Sequence, residues 1–333
     1  MKKSSQLFAI AFAFSLMTIS CRNGKNITKD DYQIDKYIVS SNCVSSINYN
    51  YDKAPLAQPL YQLSLDSILK AKFSIESLNA ANAIGALDLL SQYVNLKQKV
   101  EDNATIEEKF AIIELSHKIT KKIDLASLEI SAFASELDCE EERISQVANY
   151  LSNKFQDKET KLTVAAIAAG ALGTVSGMVA LLNEDDNPTW EYISLGTGVA
   201  ELGLGGMILF GQKRTHTYFY HKRNALRDIW EDKERSEIFP PSIWYYIKHN
   251  TSNDPTNLPL RNEILDRWLS FKQIDIAKTK TRRKLINLYF GNGGKYTIEQ
   301  LYNRASMYDQ LESSVKLIKQ DLMLLAIEFG KLN

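Results

Sequence analysis

From residue 60 onward, apolar residues recur every third or fourth position, the period of helices that bury one face. The pattern predicts helices over 60–101, 106–137, 139–182, 190–232, 260–289 and 298–331. Three starts carry capping boxes, in which a short oxygen-bearing side chain and a residue three later satisfy free N–H groups: Thr105 with Glu108, Asp138 with Glu141, and Thr297 with Gln300. The last helix is the most regular. Leu301, Tyr308, Val315, Leu322 and Phe329 fall every seven residues, with Leu311, Ile318, Leu325 and Leu332 in a second row. That is a coiled-coil-like seam, expected to pack within its own bundle. Turn chemistry interrupts the pattern at Phe239-Pro240-Pro241 and Asp254-Pro255, with a short helix expected between them around Trp244. The fold class is all-α: an elongated helical bundle with a central apolar hairpin and a long C-terminal amphipathic helix.

The hairpin departs from the one-sided pattern. Residues 162–182 carry no charge, and residues 192–211 carry one, Glu201. At 1.5 Å per residue each run is about 30 Å long, the thickness of a bilayer core. Between them lies an acidic turn with Glu184, Asp185 and Asp186, followed by Pro188. Ala166, Gly170, Gly173 and Gly177 fall on one face of the first run; Gly196, Ala200 and Gly203 are expected to form the matching stripe on the second. Each glycine costs a helix about 1 kcal/mol relative to alanine. So many of them imply that two backbones approach closely, as helices do in lipid. A tightly packed hairpin in the core of a soluble bundle reads the same way, because an all-round apolar helix suits either setting.

The N-terminus adds a compartment. Lys2 and Lys3 precede an apolar core at residues 7–17, then Thr18-Ile19-Ser20-Cys21. This has the form of a secretory signal. It resembles the bacterial lipoprotein signal, although Thr18 stands where that family usually has leucine. The resemblance implies that Cys21 becomes the lipidated first residue of the mature chain, anchored at the outer membrane or cell surface. Removing the signal leaves about 310 residues, one large or two ordinary domains. The domains expected are a tether over 21–57, a helical bundle over 58–160, the hairpin over 161–214 and a helical region over 215–333; residues 33–39 read as a short strand within the tether. Cys43 and Cys139 remain an even pair in an oxidising compartment and are expected to be bridged.

Charge and chemistry exclude more than they add. The formal net charge is zero, so nothing calls for nucleic acid. His216 and His221 are five apart, which on a helix puts them on different faces and not at metal-ligand spacing. Gly291-Asn292-Gly293-Gly294-Lys295-Tyr296 lacks the spacing of a phosphate-binding loop and reads as a turn between helices. No catalytic residue, metal site or cofactor is indicated.

The layout over residues 60–230, long helices flanking an apolar hairpin, resembles the α-helical pore-forming toxins of the cytolysin A and haemolysin BL type. That resemblance implies a hairpin that enters a membrane tip-first. An ordinary two-span inner-membrane arrangement is disfavoured, because it leaves the acidic turn in the cytoplasm and Lys154, Lys158, Lys161, Lys213, Arg214, Lys222 and Arg223 outside, the reverse of the usual charge bias. Two readings stand: a lipid-anchored envelope protein with a membrane-inserting hairpin, and a non-catalytic scaffold whose hairpin is a permanent core or anchor. The partners implied are a lipid bilayer and a second copy of the chain or another envelope protein.

Overall fold

The computed structural model describes residues 43, 51, 55–100, 105–182, 189–221, 223–250, 258–274 and 279–332. Among these the regular structure is helical apart from two short strands, so the fold is all-α. After a 3-10 turn at Leu60–Gln62, the elements run α1 (Ser67–Lys72), α2 (Ile75–Ala83), α3 (Leu87–Val100), α4 (Ile106–Leu182) and α5 (Thr189–Arg214). Then come β1 (His216–Tyr220), α6 (Ala225–Glu231), α7 (Pro241–Lys248), α8 (Leu260–Ser270), α9 (Thr279–Phe290), β2 (Gly293–Thr297) and α10 (Ile298–Gly330).

The first predicted helix is in fact three. Asp66 caps α1 by accepting the Ile68 N–H at 3.0 Å, and Ser74 caps α2 by accepting that of Ser77 at 3.2 Å. Gly85, at φ +65°, ends α2 in a backbone conformation that side chains disfavour. The next two predicted helices are instead one. Asp138 and Glu141 lie inside α4, whose 77 residues contain no proline; a box without a breaker before it is not a start. The boxes at Thr105 and Thr297 do cap α4 and α10.

The described chain divides into two units, one of residues 146–217 and a larger one of residues 43–145 and 218–332. The stretches expected to be separate domains at 58–160 and 215–333 therefore largely share one unit. Tyr245 of α7 shows why: its hydroxyl donates to Asn79 of α2 at 2.7 Å and accepts from the Leu60 N–H and Asn82, each at 3.1 Å. The two rows of α10 are buried down to Phe329 and pack mainly against α2, with Phe329 edge-on to Tyr93 of α3. Within α4, Ile119, Ile123, Ala126, Ile130, Phe133 and Leu137 repeat at threes and fours and are buried. Cys43 and Cys139 are joined by a disulfide with Cα atoms 5.5 Å apart.

The helix expected over 190–232 ends early, and the glycine turn is more than a turn. β1 pairs with β2 in a two-stranded sheet. Gly293, at φ +88°, comes so close that an added β-carbon would lie 2.2 Å from the Phe219 carbonyl oxygen. His216 therefore opens a strand and His221 follows its end. His221 lies 2.9 Å from the Tyr296 hydroxyl and 3.1 Å from the Gly291 carbonyl, and burial, with Arg304 nearby, pushes its pKa down to about 2. Arg304, fully buried, donates to the Tyr289 carbonyl and to Asn224. Arg143 pairs with Glu140 at 2.6 Å and lies over the Phe219 ring. These groups are a structural polar core that ties the sheet to α10 and α4.

Candidate functional site: the apolar hairpin

The unit of residues 146–217 holds the end of α4 and all of α5. Three contacts fix how these two helices meet. A β-carbon added to Gly170 would lie 3.3 Å from both carboxylate oxygens of Glu201, one on Gly173 would lie 2.5 Å from Thr197 Oγ1, and one on Gly177 would lie 3.5 Å from Ser194 Oγ. Steps of three and four down α4 are matched by steps of four and three up α5. This antiparallel register sets 162–182 level with 189–209, so the two apolar runs form one slab about 30 Å deep.

The stripe expected on α4 is therefore at the interface: Ala166, Gly170, Gly173 and Gly177 are half-buried, as are Leu162, Ala169 and Val179, beside fully buried Ser176. The stripe expected on α5 is not. Gly196, Ala200 and Gly203 are exposed, and an added β-carbon on Gly196 or Gly203 meets nothing within 4 Å. Ser194, Thr197 and Glu201 take that place. At 100° per residue, turning Glu201 toward α4 necessarily turns Gly196 and Gly203 away from it. Serine and threonine can sit there because their hydroxyls bond their own helix: Thr197 Oγ1 lies 2.9 Å from the Ser194 carbonyl, and Ser176 Oγ donates to that of Gly173 at 3.0 Å. The sequence signal was present, since Ser194, Thr197 and Glu201 are themselves spaced three and four apart.

The inner seam is thus small and polar, and the outer faces are apolar and uncovered. Among the described residues, thirteen large apolar side chains between Val164 and Met207 are exposed, with Leu181 at 89%, Leu202 at 80% and Leu195 at 74%. That is the opposite of a helix buried in its own protein core. α4 is long and apolar enough to cross a membrane, and little of its apolar stretch is buried. Glu201 is the single charge of residues 162–182 and 192–211; among the described residues no hydrogen bond or ion pair reaches its carboxylate.

Cys21, Glu184, Asp185 and Asp186 lie outside the described residues, as does the strand expected at 33–39. Among the described residues, no group of three or more His, Cys, Asp or Glu side chains could hold a metal ion. Comparison with protein-family models, curated proteins and solved structures finds no match. The likeness to helical pore-forming toxins rests on layout alone.

Proposed function

We propose that this chain is a lipid-anchored protein of the cell envelope that acts by placing its hairpin in a lipid bilayer, tip first, and so perturbs that bilayer. The carrying observation is the slab: two level helices that meet through glycine, serine, threonine and Glu201, with thirteen large apolar side chains exposed on their other faces among the described residues. Each large apolar side chain moved from water to hydrocarbon is worth about 1.5–3 kcal/mol. Hydroxyls bonded to their own helix remain satisfied without water, as a bilayer interior demands.

Charge opposes entry. The acids of the turn must cross, and an ionised, unpaired Glu201 at mid-helix costs about 2.5–3.5 kcal/mol in a membrane. Protonation removes most of that cost, so insertion strengthens as pH falls. The test uses the processed chain with Cys21→Ser, so that no acyl group contributes, and measures flotation and dye release with liposomes across neutral to mildly acid pH. Gly173→Leu should lose both, because its side chain collides with Thr197 and holds the helices apart. If the unsubstituted hairpin binds no vesicle at any of these pH values, the scaffold reading replaces this one. Incorporation of a fatty-acid analogue that disappears in Cys21→Ser tests the anchor separately.

A further inference from the structure

The hairpin's base differs in charge from its tip. Lys154, Lys158 and Lys161 are exposed at steps of four and three along α4, on one face of the helix, immediately before the uncharged run. The register that sets 162 level with 209 also sets 158 level with 213, so Lys213 and Arg214, which end α5, fall at the same height. Asp157 and Glu159 are the acids of this level, two anions against five cations. The Lys154 ammonium lies 5.8 Å from the centre of the Tyr150 ring.

We propose that this basic collar docks on a surface of anionic lipid headgroups, and that docking precedes and directs the crossing of the tip. The inference rests on the membrane reading above. What favours lipid over an acidic protein is continuity: the basic level directly adjoins the end of the slab, so when the slab fills the hydrocarbon layer Lys161 and Lys158 fall at headgroup depth, with Lys154 about 12 Å beyond the hydrocarbon. Their long stems can lie along the apolar surface while the ammonium groups stay wet. The acidic turn is repelled by the same surface, so anionic lipid promotes attachment at neutral pH and crossing waits for the turn to be neutralised.

The test is flotation of the processed Cys21→Ser chain at neutral pH on vesicles of phosphatidylcholine alone or mixed with phosphatidylglycerol. A basic residue near an anionic surface is worth about 1 kcal/mol, about fivefold in partition. Lys158→Gln should lower partition onto the mixed vesicles about fivefold, and the triple replacement of Lys154, Lys158 and Lys161 by glutamine roughly a hundredfold. Acid-driven flotation on phosphatidylcholine alone should survive both changes, which shows that the variants still fold and insert. Added salt should weaken only the mixed-vesicle binding. Equal flotation on both vesicles, or a preference that persists in the triple variant, overturns the collar and leaves the membrane reading standing. No flotation on either vesicle down to mildly acid pH removes both.

Discussion

The seam of α10 and the hairpin are both long helical runs rich in apolar residues, and they dispose of them in opposite ways. In α10 the apolar residues form two rows, and those rows are buried against α2 while polar residues face water. In the hairpin Gly170, Gly173 and Gly177 meet Thr197, Ser194 and Glu201 inside, and large apolar residues such as Leu172, Leu181, Leu195 and Leu202 are outside. The difference reflects the medium on the far side. A helix facing water hides its apolar rows, whereas a helix pair facing hydrocarbon gains nothing by hiding them and joins through close backbone contact.

The sharpest way to break the comparison is to make the same substitution on both sides. Leu311→Ala in the buried row of α10 should cost about 2–5 kcal/mol of folding stability, read by thermal or denaturant unfolding. Leu202→Ala in the hairpin should change stability in water by less than about 0.5 kcal/mol. Its effect should appear in vesicle partition instead. Comparable destabilisation by both would mean that Leu202 belongs to a protein core.

Glu201→Gln addresses the one charge of residues 192–211. It should favour insertion at neutral pH by up to about 2.5–3.5 kcal/mol and shift the pH midpoint of dye release upward. An unchanged midpoint would place the controlling charge elsewhere.

Acid should act on the larger unit through a different group. The unfolded His221 binds a proton near 6.5, whereas the folded one is held down to about 2 by burial and Arg304. The stability this contributes is present above pH 6.5 and is lost as pH falls, by about 2 kcal/mol at about pH 5. Glu129 and Glu136, whose pKa values burial raises, oppose that loss as they protonate. Stability measured against pH should fall below 6.5, and His221→Asn should flatten the fall.

The smallest expected effect separates two kinds of glycine. Gly196→Ala should be tolerated and add up to about 1 kcal/mol of helix stability, because its added β-carbon meets nothing. Gly173→Ala should loosen the hairpin, because its added β-carbon meets Thr197.

Residues 161–214 were legible as a hairpin because length, charge and glycine spacing are local properties. The face by which α5 meets α4 was not, because small residues at helical spacing occur on two of its faces. Only the position of Glu201, Thr197 and Ser194 opposite Gly170, Gly173 and Gly177 decides between them. The inward turn of the α10 rows was legible for the same reason as the hairpin. The strand at 216–220 was missed because its alternation is short and its partner lies more than seventy residues on, behind Gly293. The break at Gly85 is not legible, since a single glycine in a periodic stretch looks the same whether it continues a helix or ends one.

The central claim is that the uncovered faces of the hairpin lie in hydrocarbon. A fluorophore attached at Leu172→Cys or Leu202→Cys in the processed Cys21→Ser chain, with the Cys43–Cys139 disulfide intact, would be followed in vesicles whose lipids carry bromine near the bilayer centre. The account predicts strong quenching at both sites at mildly acid pH, with none for a fluorophore at Leu317→Cys, an exposed position on α10. Hairpin fluorescence that never falls below that of the α10 site would contradict it.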